Sequence, residues 1–191
     1  MRPATRLLLA AVALIALGGC DKKKDAAPQQ TAGAPVPETP PAEPIGGVDR
    51  KHKGEPAPAI PFSRPDGAPA TLTSFRGKPL LVNLWATWCS PCVRELPLLD
   101  KAAASHPGLQ VVTVSQDANG AQVVAPYLAK HGLAHLPGYY DAKNVLLTAL
   151  NADNLPSTIL FDAHGREIWR IQGDLDWQGT LATRLLAEAA R

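Results

Sequence analysis

The sequence predicts an α/β fold, in which helices flank a mixed central sheet. Residues 80–85 form a near-continuous apolar run that is typical of a central strand covered on both faces. Apolar residues then recur at helical spacing from 91 to 104, and a second apolar, β-branched run follows at 109–114. Strand, helix and strand in this order predict a right-handed crossover between two parallel strands.

The remaining elements follow from turn and periodicity signals. Upstream, residues 60–62 predict a strand that turns at Asp66-Gly67 and continues into a hairpin partner at 71–75. Downstream, Asp176 is expected to cap a closing helix. Between the second parallel strand and this closing helix, two further helices are predicted at residues 119–132 and 141–150. An antiparallel strand pair is predicted at 157–162 and 167–172.

The N-terminal residues predict an export signal. Arg2 and Arg6 precede an apolar run at residues 7–17, the pattern of a secretory signal peptide. As a helix this run is only about 17 Å long against a hydrocarbon core of about 30 Å, so it is too short to span a membrane. Leu17-Gly-Gly-Cys20 resembles a bacterial lipobox, so we expect a leader of residues 1–19 and lipidation of Cys20. A plain secretory signal with an unrelated cysteine is the alternative.

Residues 20–53 predict a lipid anchor followed by a disordered tether. They are rich in Pro, Ala and charge and contain no Phe, Tyr or Trp, so they cannot bury enough surface to fold. Residues 1–53 hold eight Lys or Arg and five Asp or Glu, whereas the predicted domain, 54–191, holds eleven and twelve. The basic charge lies outside the domain and gives no support for a nucleic-acid surface.

Cys89 and Cys92 stand where the strand at 80–85 runs into the helix, and Pro91 suits the first helical turn. At a helix N-terminus, partial positive charge and unpaired N–H groups favour a thiolate, the form that attacks a disulfide. Cys92 is close enough to resolve the mixed disulfide that results. Taken alone, however, the C-x-x-C spacing is equally typical of half a zinc site.

The context of the cysteines resembles a known family. Residues 85–92 read Trp-Ala-Thr-Trp-Cys-Ser-Pro-Cys, with Glu95 behind them. This segment resembles the active-site motif of the thioredoxin superfamily, in particular its membrane-anchored TlpA/ResA-like branch, and the resemblance extends from about residue 54 to the C-terminus. It implies a thioredoxin fold with an N-terminal β-hairpin and a helical insertion. It also implies a redox-active disulfide between Cys89 and Cys92, with no other cofactor.

The resemblance implies further site residues. Leu155-Pro156 falls where the superfamily keeps a cis-proline loop against the cysteines, with the preceding backbone offered to substrate. Glu95 matches a glutamate that is buried near the disulfide and relays protons, while Asn83 replaces a buried aspartate of plain thioredoxin. Trp88 and Pro91 are expected on the rim that receives substrate. The alternative for Pro156 is an ordinary trans proline, and the alternative for Glu95 is a solvated helix carboxylate.

Two histidines keep a second interpretation open. With Cys89 and Cys92, His131 and His135 complete a formal C-x-x-C and H-x-x-x-H set. The intervening residues 93–130 form a far longer gap than the dozen or so residues of a zinc finger. We therefore expect no metal site. A structural zinc module and a redox-silent anchored chaperone are the non-enzymatic alternatives.

The expected function is thiol:disulfide oxidoreduction. The expected location is the periplasmic face of the cytoplasmic membrane, because Asp21 after Cys20 resembles an inner-membrane retention signal. A thiolate-stabilising histidine between the cysteines favours oxidants of this superfamily. Ser90-Pro91 supplies no such charge, so a reductase is favoured over an oxidant or isomerase. The resemblance implies clients such as apocytochrome c and a membrane electron donor of the DsbD/CcdA type, and we expect a monomer.

Cys20→Ala should release the protein from membranes, because the short leader cannot replace the apolar attachment of a lipid. The measurement is fractionation of washed membranes at high salt, with Cys92→Ser as a control that keeps the anchor. Retention of Cys20→Ala in the washed membranes would show that Cys20 is not the site of attachment.

Overall fold

The computed structural model describes residues 47–190, so the predicted leader, Cys20 and most of the tether lie outside the described residues. Its strands are β1 (Val48–Asp49), β2 (Phe62–Ser63), β3 (Pro69–Ala70), β4 (Leu80–Trp85), β5 (Gln110–Ser115), β6 (Tyr139–Tyr140), β7 (Ser157–Phe161) and β8 (Glu167–Gln172). Its helices are α1 (Ser90–Ser105), α2 (Gly120–Lys130), α3 (Val145–Ala149) and α4 (Thr180–Ala187), with short 3-10 helices at Leu72–Phe75 and Glu188–Ala190. Within this part of the chain, no helix has both the length and the apolar character needed to cross a membrane.

The described strands form one mixed sheet in the order β1-β8-β7-β4-β5-β6-β2-β3. β4, β5 and β6 run parallel, and the other neighbouring pairs run antiparallel. β4 and β5 pair in parallel and α1 connects them, as the predicted crossover unit requires. The α/β fold with a mixed central sheet and flanking helices is therefore confirmed.

β4 is the centre of the hydrophobic core, and all six of its residues are buried. Because side chains alternate along a strand, Leu81 and Trp85 pack in one cluster, whereas Val82 and Leu84 pack in another. The first cluster includes residues of α1, α2 and α4, and the second includes residues of the N-terminal hairpin and α3. This two-sided burial explains why the sequence of β4 is apolar throughout.

The N-terminal hairpin differs from the prediction in its second strand. β2 pairs with Pro69–Ala70, and the residues that follow form a 3-10 helix. Thr71 N–H donates to Ser74 Oγ at 3.2 Å, and Ser74 N–H donates to the Thr71 carbonyl at 3.1 Å. The predicted strand at 71–75 is therefore wrong, because these local bonds close a helical turn instead of a sheet ladder.

The sheet also begins earlier than the predicted domain start at residue 54. In β1, Val48 pairs with Ile171 and Asp49 with Arg170 on the edge of β8. Two paired residues carry no apolar period, so the sequence pattern does not predict this strand. The tether prediction is corrected here for residues 48–53.

The C-terminal third shows two further differences. α3 covers only Val145–Ala149 of the predicted 141–150 helix, because Asp141 is buried outside it and accepts a hydrogen bond from Leu146 N–H at 2.7 Å. α4 begins at Thr180 with Gly179 as its N-cap. Asp176 instead accepts a bond from Gln178 N–H at 3.0 Å, so it forms a turn before the helix and does not cap it.

A buried ion pair lies within β8, and its arginine also bonds to the end of α3. The Arg170 guanidinium donates to both carboxylate oxygens of Glu167, at 2.7 and 2.6 Å, and Nη1 donates to the Leu150 carbonyl at 2.6 Å. Both charged side chains are almost fully buried. Each partner therefore depends on the other for compensation of its charge.

Arg170→Met should lower the free energy of unfolding by about 3–5 kcal/mol, because it leaves the Glu167 carboxylate buried and unpaired. Denaturant unfolding of the purified protein measures the change. The matched control is Arg184→Met on the exposed face of α4, which should change the value by less than about 0.5 kcal/mol. Equal effects of the two variants would contradict the assignment.

Candidate active site

The two cysteines lie at the start of α1 and are joined in a disulfide, with Cα atoms 5.3 Å apart. Cys89 is the N-cap, and its sulfur accepts a hydrogen bond from Cys92 N–H at 3.3 Å. Cys89 is 6% exposed, whereas Cys92 is fully buried. A helix N-terminus favours a thiolate in a reduced pair, and Cys89 is the cysteine of the pair with exposed surface.

A buried carboxylate fixes the loop that enters the disulfide. Thr87 N–H and Oγ1–H donate to the two oxygens of Asp117, at 2.9 and 2.7 Å, and Ser115 Oγ donates to Asp117 Oδ2 at 2.7 Å. Asp117 follows β5, so this set ties the ends of two parallel strands together. Sequence reasoning missed Asp117. The available signal was a polar residue at the carboxyl end of a predicted strand, where α/β proteins place their sites.

The Leu155-Pro156 peptide bond is cis, as predicted, and it precedes β7. Beside it is a cleft of about 430 Å³ that contains Cys89. The structure thus brings the predicted residues Trp88, Pro91 and Leu155 together at this sulfur, while Pro156 itself is buried. The remaining lining residues are Gln116, Asn144, Leu147, Asp153 and Asn154.

The walls of this cleft come from several elements. Trp88 is 69% exposed on the rim, and Leu147 comes from α3, the helix of the predicted insertion. A second groove, of about 880 Å³, is larger but contains neither cysteine, and it is lined instead by residues such as His106, Ile168 and Leu186. The smaller cleft is therefore the one relevant to thiol chemistry.

Glu95 lies one helical turn after Cys92 and is only 2% exposed. Its Oε1 accepts a hydrogen bond from Asn83 Nδ2 at 2.8 Å. Its Oε2 accepts bonds from Leu175 N–H at 3.1 Å and from Trp177 Nε1–H at 3.2 Å. The predicted burial of Glu95 is confirmed, and the alternative of a solvated carboxylate is wrong.

The environment of Glu95 moves its titration towards neutral pH. Burial raises the pKa of Glu95 from 4.5 to about 7, and the three hydrogen bonds oppose this rise because they favour the charged form. The negative charge of Asp174 adds a smaller upward shift. A carboxyl group with a pKa near 7 is able to take and return a proton at neutral pH.

Asn83 holds Glu95 directly, which the sequence did not reveal. Besides its bond to Glu95, its Nδ2 donates to Thr158 Oγ1 at 2.9 Å, so the amide connects β4, α1 and β7. Leu175 and Trp177 were also missed as partners of Glu95. They are 80 and 82 positions away along the chain, and no local pattern predicts contacts at such separations.

The histidines of the formal zinc set have other contacts. His135 Nδ1 is 3.0 Å from Asp100 Oδ2, and the His131 ring stacks on Tyr127 with centroids 4.4 Å apart. Between residues 47 and 190, no three His, Cys, Asp or Glu side chains are grouped so as to hold a metal ion. The described structure therefore does not assemble these histidines with Cys89 and Cys92.

Comparisons with known proteins agree with this geometry. Residues 52–185 match the family model described as Redoxin. The chain is 26% identical over 121 residues to the thiol-disulfide oxidoreductase ResA of Bacillus thuringiensis, covering 63% of this chain and 70% of that protein. It is 33% identical over 121 residues to the thiol:disulfide interchange protein DsbE of Vibrio cholerae, covering 60% of this chain and 64% of that protein.

A solved structure gives a similar result. The crystal structure of the exposed lipoprotein thioredoxin of Streptococcus pneumoniae matches this chain with a TM-score of 0.53 and 25% identity. The match covers 65% of this chain and 96% of that one. Sequence and structure comparisons therefore agree on a thioredoxin fold of the TlpA/ResA type.

The titration of Glu95 should appear in the stability of the oxidised protein. The folded state keeps the proton to about pH 7, whereas an unperturbed glutamate loses it near 4.5. The folded state therefore binds more protons in this window, and the contribution of Glu95 to the free energy of unfolding falls as the pH rises from 4.5 to 7. The fall should be on the order of 3 kcal/mol.

Urea unfolding of wild type and Glu95→Gln, at about pH 5 and pH 8, isolates this contribution because all other titrations are common to both proteins. The wild type should lose more stability than Glu95→Gln between the two pH values. An equal loss in both proteins would mean that Glu95 is already ionised at pH 5.

Proposed function

Because the chain belongs to the Redoxin family, we propose that it is a thiol-disulfide oxidoreductase that acts through Cys89 and Cys92. One observation carries the proposal. The sulfur of Cys89 caps α1 beside a cleft, while Cys92 and Glu95 are buried behind it. The ResA and DsbE relatives are named for the same class of reaction, which supports the assignment.

The proposed reaction starts from the reduced pair. The Cys89 thiolate attacks one sulfur of a client disulfide, the client S–S bond breaks, and the second client sulfur leaves as a thiolate. The Cys92 thiol then loses its proton and attacks Cys89 Sγ, which releases the first client sulfur and forms the Cys89–Cys92 disulfide. Two electrons pass to the client, and the reaction needs no cofactor beyond the disulfide.

Glu95 is the proposed acceptor of the Cys92 proton. It is one helical turn from Cys92, and its pKa of about 7 keeps part of the population ionised at neutral pH. A buried thiol has no access to water, and Glu95 is a buried base on the same helix that can take its proton. The client segment is proposed to lie in the cleft between Trp88 and Leu155, next to the cis Pro156.

The proposed direction is reduction of the client, with an oxidant or isomerase as the alternative. Strong reductants and oxidants of this fold differ by about 150 mV, and oxidants stabilise the thiolate of the reduced form more strongly. Ser90-Pro91 places no cation between the cysteines, and Arg94 is already paired with Asp174. An ionised Glu95 near Cys92 further disfavours thiolates, so the reduced form is the better electron donor.

The proposed setting is the periplasmic face of the cytoplasmic membrane. A lipid on Cys20 would hold the domain there through the tether, and the similar pneumococcal structure is that of an exposed lipoprotein. In this setting the clients would be exported proteins with disulfides, for example apocytochrome c. A membrane donor of the DsbD/CcdA type would return two electrons to the Cys89–Cys92 disulfide of a monomeric protein.

Cys92→Ser should accumulate mixed disulfides with client proteins, because Cys89 still attacks but the resolving thiol is absent. Cys89→Ser should accumulate none, since its remaining thiol is fully buried. Non-reducing gels of thiol-quenched extracts, with the double serine variant as the blank, make the comparison. Equal trapping by the two single variants would contradict the roles of the two sulfurs.

A redox titration of the Cys89–Cys92 pair tests the direction. A reductase predicts a potential near the value of about −270 mV found for thioredoxin, well below the value of about −120 mV of a strong oxidant. A potential at the oxidising end would overturn the proposed direction while leaving thiol-disulfide exchange itself intact.

A further inference from the structure

We propose that the Arg94–Asp174 ion pair sets, through its charges, the pH range over which Glu95 exchanges its proton. Arg94 Nη2 lies 3.1 Å from Asp174 Oδ2. Arg94 directly precedes Glu95 on α1, and Asp174 directly precedes Leu175, whose N–H donates to Glu95. The pair therefore joins the two backbone segments that meet at the buried carboxylate.

The position of the pair suits this role. The segment between β8 and α4 supplies two of the three hydrogen-bond donors of Glu95, from Leu175 and Trp177. Asp174 is at the start of this segment and is 12% exposed, whereas the Arg94 side chain is 61% exposed. Arg94 thus reaches from the solvent-facing side of α1 and places its charge beside Asp174, at the start of this segment. It also donates to Ser90 Oγ at 3.3 Å.

The charges around Glu95 are few. On β4 and β7, Asn83 and Thr158 are uncharged, and Trp177 donates without carrying charge. Cys92 on α1 is held in the disulfide in the oxidised state. Among the described residues, Asp174 is the charged group that acts on Glu95, and it raises the pKa of that carboxyl.

Arg94 and Asp174 should therefore move the titration of Glu95 in opposite directions. Removal of Arg94 leaves the negative charge of Asp174 without its counterion, which disfavours ionisation of Glu95 and raises its pKa. Neutralisation of Asp174 removes the repulsion and lowers the pKa. A purely structural role predicts a different result, because loss of either partner would loosen the same segment and shift the titration in the same direction.

The inference rests on the proposed function for its meaning in exchange, but the titration is measurable without any client. The experiment follows the carboxyl carbon of Glu95 by NMR in the oxidised full-length protein labelled with ¹³C-glutamate. Glu95→Gln identifies the signal. The wild-type midpoint should be near 7. Arg94→Ala should raise it and Asp174→Asn lower it, each by about 0.3 to 0.7 pH units, the size expected for a partly exposed ion pair.

Two further variants serve as controls. Arg94→Lys keeps the charge and should stay close to the wild-type midpoint. Arg50→Ala removes an arginine that is paired with a different carboxylate, Glu188, and should leave the midpoint unchanged. Shifts of the same sign in Arg94→Ala and Asp174→Asn, or no shift in either, would overturn the proposal.

The pH dependence of mixed-disulfide release separates this inference from the proposed function. If both are right, release should move with the NMR midpoints in the two variants. If the wild type exchanges no disulfide at all, the proposed function fails, but the midpoints still decide whether the ion pair sets the titration of Glu95.

Discussion

Burial of the Glu95 carboxylate is the constraint on which the arrangement of this domain depends. An acidic side chain that is shut away from water costs free energy unless hydrogen bonds compensate it. The compensation comes from Asn83 on β4 and from Leu175 and Trp177 in the segment before α4. The sheet, α1 and the C-terminal segment must therefore close around one side chain. Burial still outweighs these bonds, and the carboxyl is left with a pKa near 7.

The same arrangement gives the two cysteines of the pair different exposure to solvent. β4 is buried on both faces, and the chain leaves it at Trp85 to enter α1 within a few residues. Asp117 holds this short connection from the end of β5. As a result Cys89 stays at the helix cap beside the cleft, while Cys92 turns into the core next to Glu95. A pair with one accessible and one buried sulfur suits sequential attack and resolution.

The cleft has one wall from core elements and one from a surface segment. Cys89, Pro91 and the cis-proline loop come from the sheet and helix that define the fold. Leu147 and Asn144 belong to the region of the short helix α3, which lies between β6 and β7. The two walls therefore meet at Cys89 from different parts of the chain.

The sequence by itself determined the central strands, α1, the cysteine pair, the cis Pro156 and the buried position of Glu95, partly through spacing and partly through family resemblance. The strands, α1 and the cysteine pair depend on apolar periodicity, helix signals and a motif of adjacent residues, all of which are local. The cis Pro156 and the burial of Glu95 were implied only by the family resemblance. It could not determine strands as short as β1 or the extent of α3, because two to five residues carry no reliable period. Only the tertiary structure decided which groups hold Glu95, since Leu175 and Trp177 are 80 or more positions away and meet it through packing of the closed fold.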